Sequence, residues 1–236
     1  MYKRCRTAPA NIRRHLRQEA GFGCAICGNP LIENAHIIEY SLTRQFPPED
    51  MVALCPNCHT EADIGRFQKW YLRQVKKEPF NKKRQTIGKR FLITGEKTIV
   101  HLGSVNFTDT HRIMTANDFD LISITKQEDG FLLLDVNLFD ILNGFIAIIH
   151  ENNWLVDKRY AWDIQYKPQQ LKIYCASRNI LFDIGIKNEE VFITGRLYFN
   201  GFPISIGSKS IKIGSNEIGG SSSFTGSEHA IDIQLH

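Results

Sequence analysis

This sequence predicts an α+β chain in two unlike parts, a small cysteine-pinned unit over residues 1–80 and a mainly antiparallel β-domain over residues 91–236. Three observations predict it. Two Cys-x-x-Cys pairs, Cys24/Cys27 and Cys55/Cys58, fall in the N-terminal third. From about Phe91 the texture changes to short alternating runs separated by hairpin turn signals. The charge changes sign at the same place: residues 1–90 carry 17 Lys and Arg against 8 Asp and Glu, and residues 91–236 carry 12 against 17. A length of 236 residues suffices for two modest domains, and 42% hydrophobic with 23% charged residues is an ordinary globular composition.

Taken in order, Pro9 to Glu19 reads as a short helix. Proline is tolerated in a first helical turn, Ile12 and Leu16 stand four apart, and Gly21-Phe22-Gly23 ends the segment. Arg13, Arg14 and Arg17 lie largely off its apolar line. Thr60 to Lys77 reads as one long helix with Ile64, Phe67, Tyr71 and Val75 as its apolar stripe, stopped by Pro79. Arg66, Lys69, Arg73, Lys76 and Lys77 face away from that stripe. They are followed by Lys82, Lys83 and Arg84 and by Lys89 and Arg90, so residues 81–90 read as a basic linker suited to a phosphate backbone.

The cysteines carry the most specific local signal. Of six, four are paired and Cys5 and Cys175 stand apart as ordinary thiols. A thioredoxin-like redox motif needs one such pair, between a strand and a helix. Two pairs with 27 intervening residues fit one four-cysteine zinc site, since each two-residue spacer lets a tight knuckle aim both thiolates at one ion. Gly23, Gly28, Asn29 and Pro30 supply turn chemistry at the first pair, and Pro56-Asn57 at the second.

Between and after the pairs the chain reads Cys-Ala-Ile-Cys-Gly-Asn-Pro-Leu-Ile-Glu-Asn-Ala-His-Ile-Ile and, from Asp50, Asp-Met-Val-Ala-Leu-Cys-Pro-Asn-Cys-His-Thr-Glu-Ala-Asp-Ile-Gly. Over roughly residues 10–80 this resembles the HNH endonuclease family, in its four-cysteine branch with an Ala-His-Ile signature. The resemblance implies a ββα-metal fold, with the first signature histidine on a strand and the last on the helix. It also implies His36 as the general base that activates water, and His59 as a ligand of a catalytic Mg²⁺ or Mn²⁺. Asp63, four residues on, shares a helical face with His59 and joins it as a ligand. Asp50 stands where the family's asparagine braces the loop carrying the base. Ala35 stands where many relatives carry a metal-binding residue, so the ion is expected on His59, Asp63 and waters, with a contribution from Glu33 as the less favoured option. The zinc would be structural, and Arg66, Lys69, Arg73, Lys82, Lys83 and Arg84 would meet the nucleic acid.

In the second half, strands are expected at Thr98–Leu102, Leu121–Thr125, Phe131–Val136, Phe145–Ile149, Trp162–Tyr166, Leu171–Cys175, Ile180–Ile186, Val191–Thr194 and Arg196–Phe199. The tail from Gly207 reads as a loose flap or a short solenoid-like turn. Trp154 and Trp162 read as core anchors. His101, His111 and His150 are scattered, and no phosphate-binding glycine loop or nucleophile–base pair is evident, so this domain is expected to target, sense or oligomerise. The most apolar stretch, Phe131 to Ile149, is interrupted by Asp135, Asn137, Asp140 and Asn143, so no membrane span is expected. The start, Met-Tyr-Lys-Arg-Cys-Arg, lacks the apolar run of a secretory signal, making the cytoplasm the expected compartment.

The function these readings favour is metal-dependent hydrolysis of double-stranded DNA. The resemblance implies a restriction, phage-defence or mobile-element setting. A single site of this family cuts one strand, so a double-strand break implies a homodimer or two encounters. Two alternatives stay open: a non-catalytic zinc-dependent nucleic-acid-binding protein, and an RNA-cleaving toxin.

Overall fold

The structure is a computed structural model that describes residues 7–219 and 222–235, so Cys5 lies outside the described residues, as does part of the Gly219–Ser223 stretch. It is a mixed α+β chain, mostly β, with the four paired cysteines gathered in one cluster. Ala10–Glu19 forms helix α1 directly after Pro9 and buries Leu16 completely. Glu33–His36 (β1) and Tyr40–Thr43 (α2) follow, then a 3-10 turn at Pro48–Asp50 and Met51–Leu54 (β2). β1 and β2 pair antiparallel, with Ala35 opposite Val52 and His36 opposite Met51.

The helix expected over Thr60–Lys77 is two helices, Pro56–Asp63 (α3) and Lys69–Lys77 (α4). Gly65 is the cause: its φ of +82° is a left-handed conformation that glycine adopts without steric cost and that ends a helix. The break takes Ile64 out of the apolar stripe, leaving it 76% exposed, while Leu72 and Val75 are buried and Tyr71 half-buried.

The segment expected as a basic linker is only in part a connector. Thr86–Arg90 forms β3, a full member of the sheet. Thereafter come Ile99–Leu102 (β4), Val105–Thr108 (β5), Arg112–Ala116 (β6), Phe119–Lys126 (β7), Leu132–Phe139 (β8), Phe145–His150 (β9) and Asn153–Asp157 (β10). The remaining strands are Asp163–Lys167 (β11), Gln170–Ala176 (β12), Asn179–Lys187 (β13), Glu190–Phe199 (β14), Phe202–Ile206 (β15), Ser210–Ile213 (β16), Asn216–Gly219 (β17), Ser223–Thr225 (β18) and His229–Ile233 (β19). Two antiparallel meanders dominate, one running β6-β7-β8-β9-β10-β3 and the other β11 through β17.

Three parallel ladders join segments distant in sequence: β4 with β14, β5 with β18, and β6 with β19. The tail is thus built into the sheet rather than left as a flap. The strands expected at Val191–Thr194 and Arg196–Phe199 are one continuous β14. At Gly195 an added Cβ would stand 2.8 Å from the Leu181 carbonyl oxygen, so glycine here permits a close strand approach. A single hydrophobic cluster runs from Phe22 and Ile87 through both meanders to Ile233, with Trp154 fully buried as expected. Among the described residues no helix is long and apolar enough to cross a membrane.

The N-terminal unit docks on this sheet through α1. Arg17 Nε and Nη2 donate to the two carboxylate oxygens of Asp163 at 2.9 and 2.7 Å. Gln18 donates to the Trp162 carbonyl at 2.6 Å, and the Arg14 guanidinium lies 4.5 Å over the Trp162 ring. Trp162 is therefore a docking residue at the rim, not an anchor of the core.

Candidate metal centre and adjoining histidines

Local turn chemistry shapes each half of the cysteine site. At the first pair, the Gly28 N–H donates to the Cys24 carbonyl and the Cys24 N–H to the Asn29 carbonyl, both at 2.8 Å. Gly28 has φ +79°, and an added Cβ there would meet a Phe80 ring carbon at 2.4 Å. The knuckle is tied down twice more: Ala25 donates to the Ala53 carbonyl of β2 at 2.8 Å, and Asn81 Nδ2 to the Gly28 carbonyl at 3.1 Å. At the second pair Cys55 caps α3, its sulfur accepting from the Cys58 N–H at 3.5 Å.

All four sulfurs lie within 4.8 Å of one another, with Cys24, Cys55 and Cys58 buried and Cys27 exposed. A tetrahedral ion with metal–sulfur bonds of about 2.3 Å needs sulfurs roughly 3.8 Å apart, and Cys27 and Cys55 stand at 3.6 Å. Four soft thiolate donors at this spacing fit an ion such as zinc.

Crowding these thiols has an acid–base consequence. Burial pushes the Cys27 thiol up to about 11, helped by the nearby Cys24 charge and the hydrogen bonds it donates to other sulfurs, against a lowering backbone contact at Asn29. Cys58 is pushed up by burial and by its hydrogen bond with Cys55. Burial also opposes ionisation of Cys55, but the Cys58 backbone N–H and the surrounding thiols outweigh it and hold Cys55 below its ordinary value. A bound cation would replace these protons, so occupancy of the cluster must weaken in acid.

One of the two signature histidines, His59, adjoins this cluster. His59 follows Cys58 on α3, and its two ring nitrogens face two carboxylates. Nδ1 lies 2.7 Å from Glu33 Oε2 on β1, and Nε2 lies 3.7 Å from Asp63 Oδ1, one helical turn along. Glu33 is thereby brought to the site more closely than its sequence position favours. The sequence carries only one signal for it, an acidic residue three positions before His36.

His36 sits at the far end of β1. The strand pleat assigns it and Asn34 to one face, and Glu33 and Ala35 to the other. Its ring lies in a cluster with Tyr40 and Phe46, at centroid distances of 5.4 and 5.6 Å, and Nε2 is 3.4 Å from the Gln45 carbonyl. Asp50 braces this end of the strand through its backbone: its carbonyl accepts from Ile37 at 2.8 Å, while its side chain accepts from Arg73 Nη2 at 2.8 Å.

The basic residues expected at the nucleic acid divide into two sets. Arg66 pairs with Glu61 at 2.6 Å, Lys82 with Glu78 at 2.9 Å, and Arg73 with Asp50. Lys69 and Lys83 are exposed, and the Arg84 guanidinium lies 4.2 Å over the Phe80 ring. Arg73 therefore serves the β1–β2 hairpin as well as the surface charge.

No family model matches the chain, and neither a curated protein nor a solved structure does.

Proposed function

We infer that this chain is an HNH-type endonuclease, with a structural zinc ion in the four-cysteine cluster and a catalytic Mg²⁺ or Mn²⁺ beside His59, acting on DNA. The observation that carries the reading is the pair of carboxylates at His59. A metal-bound imidazole commonly donates its second ring N–H to a carboxylate, which fixes tautomer and orientation. Glu33 at 2.7 Å from Nδ1 is suited to accept that proton, leaving Nε2 to address an ion together with Asp63.

When bound, such an ion would neutralise charge on the scissile phosphate and leaving oxygen. His36 would take the proton from the attacking water. With its Nε2–H donated to the Gln45 carbonyl, Nδ1 is the ring atom left to accept that proton. Asp50 holds the chain after His36 through the Ile37 hydrogen bond, a role its carbonyl fills whether the side chain is Asp or Asn.

The test is plasmid nicking under Mg²⁺, Mn²⁺ and EDTA, with His36→Ala beside the parent protein. The expected outcome is divalent-dependent nicking by the parent and a loss of ~10²-fold or more in the variant, with zinc content and melting temperature unchanged. Ala35, with no ligating atom where many relatives have one, favours a second reading as a DNA-binding module that does not cut. Binding without nicking in any divalent ion would select it.

A further inference from the structure

A groove of about 750 Å³ lies between the first cysteine knuckle and the β3–β10 ladder. Asn29, Phe80 and Arg84 stand on the knuckle side, and Lys89 and Arg90 of β3 and Leu155 of β10 line the ladder side. Its lining contains three cations, Arg84, Lys89 and Arg90, and no carboxylate.

How those cations are held matters more than their number. Elsewhere in the N-terminal third Arg66, Arg73, Lys76 and Lys82 each pair with an acid. In the groove Arg84 rests on the Phe80 ring and Lys89 Nζ donates to the neutral Asn29 amide oxygen at 2.9 Å. These partners fix the side chains without cancelling their charge. Leu155, 39% exposed, gives the groove an apolar contact of the kind a sugar ring can cover.

We propose that this groove seats a sugar–phosphate strand of DNA, with Arg84 and Lys89 on its phosphates and Arg90, whose side chain leaves β3 on the other face, at its rim. The choice of DNA as the polyanion rests on the endonuclease reading; the groove's affinity for a phosphodiester strand does not. The cysteine cluster then has a second use, since the knuckle it pins forms one wall of the track.

The test is binding of the full-length protein to a fluorescent duplex, to one of its single strands and to AMP, with no Mg²⁺ or Mn²⁺ added so that nothing is cut and the ion on the cysteines is retained, across a salt series. Arg84→Gln, Lys89→Gln and Arg90→Gln are made singly and together. The control is Lys187→Gln, Lys209→Gln and Lys212→Gln combined, which removes the same charge from elsewhere. Each phosphate contact contributes about 0.9 to the slope of log affinity against log salt for duplex and about 0.7 for single strands. The triple variant should therefore lose roughly 2 units of slope on duplex DNA and at least ~10-fold in affinity at low salt. The control should lose far less.

Equal losses in both triple variants would overturn the proposal, because net charge alone would explain them. Groove-dependent binding of AMP with DNA binding unaffected would also overturn it, assigning the groove to a free nucleotide. The nuclease reading fails separately: a protein that binds DNA through the groove and never cuts it removes the catalysis and keeps the groove.

Discussion

At the scale of single residues, two carboxylates make sharp predictions. Glu33 accepts from His59 on the side away from Asp63, so Glu33→Ala should weaken Mn²⁺ binding, read by electron paramagnetic resonance, by about 10–100-fold. Glu33→Gln keeps an acceptor oxygen and should recover part of the loss; no change in either variant would remove Glu33 from the site. Asp157 concerns stability instead. The Arg159 side chain above all, with Gln85 and the Arg159 backbone N–H, holds its carboxyl at about 2, against an ordinary 3.8. A depressed folded value means the stabilisation is fully present above pH 3.8 and is lost as pH falls through about 2. Urea melts of the parent and Asp157→Asn should therefore converge between those two values. A stability gap that stays constant down to pH 2 would show that the ion pair contributes nothing.

At the scale of elements, the knuckle and the α3–α4 break use glycine in different ways. Gly28 needs both a positive φ and the absence of a side chain against Phe80. Gly65 needs only the positive φ, since a methyl group there would have nothing within 4 Å. Gly65→Ala should cost about 1 kcal/mol, the ordinary cost of forcing a side chain into a left-handed conformation. Gly28→Ala should cost more, on the order of 2–3 kcal/mol, and should speed the loss of zinc to a chromophoric chelator. Equal thermal shifts for the two variants would contradict this account. The hairpin follows the same logic. It is four residues per strand, too small to stand alone; the Ala25–Ala53 contact ties it down, and a cation on the four cysteines would hold it further.

At the scale of the whole molecule, the cysteine-bearing unit and the β-sheet are joined by buried charge and by a shared strand. Asp163 is almost wholly buried and is satisfied by the Arg17 fork. Arg17→Ala would leave that carboxylate beside Gln165 alone and should destabilise the protein by roughly 3 kcal/mol, whereas Arg17→Ala combined with Asp163→Asn should recover much of it. An additive double mutant would break the argument. β3 makes its ladder with β10, which is more than sixty residues away in sequence. A fragment ending at residue 90 would carry an unpaired strand and an exposed Phe22 and Ile87, so it should aggregate or lose the dispersed amide resonances of the intact chain.

Some of this architecture is written locally. The closeness of the thiols within each cysteine pair follows from two-residue spacers with glycine and proline beside them, since each tight turn brings its two sulfurs together. Strands such as β12 and β13 follow from alternation between turn residues, because a half-buried strand must present every second side chain to the core. The i,i+4 approach of His59 and Asp63 follows from helix pitch. Other features answer to no local rule. The tail's parallel pairing with β5 and β6, the capture of the basic segment 86–90 by β10, and the meeting of Glu33 with His59 all join residues far apart in the chain. The difference between a neutralised cation such as Arg73 and the uncancelled charges of the groove is of the same kind. Spacing governs what a residue can do with its neighbours along the backbone; which distant carboxylate or amide reaches it is decided only when the core closes and fixes the strands in register.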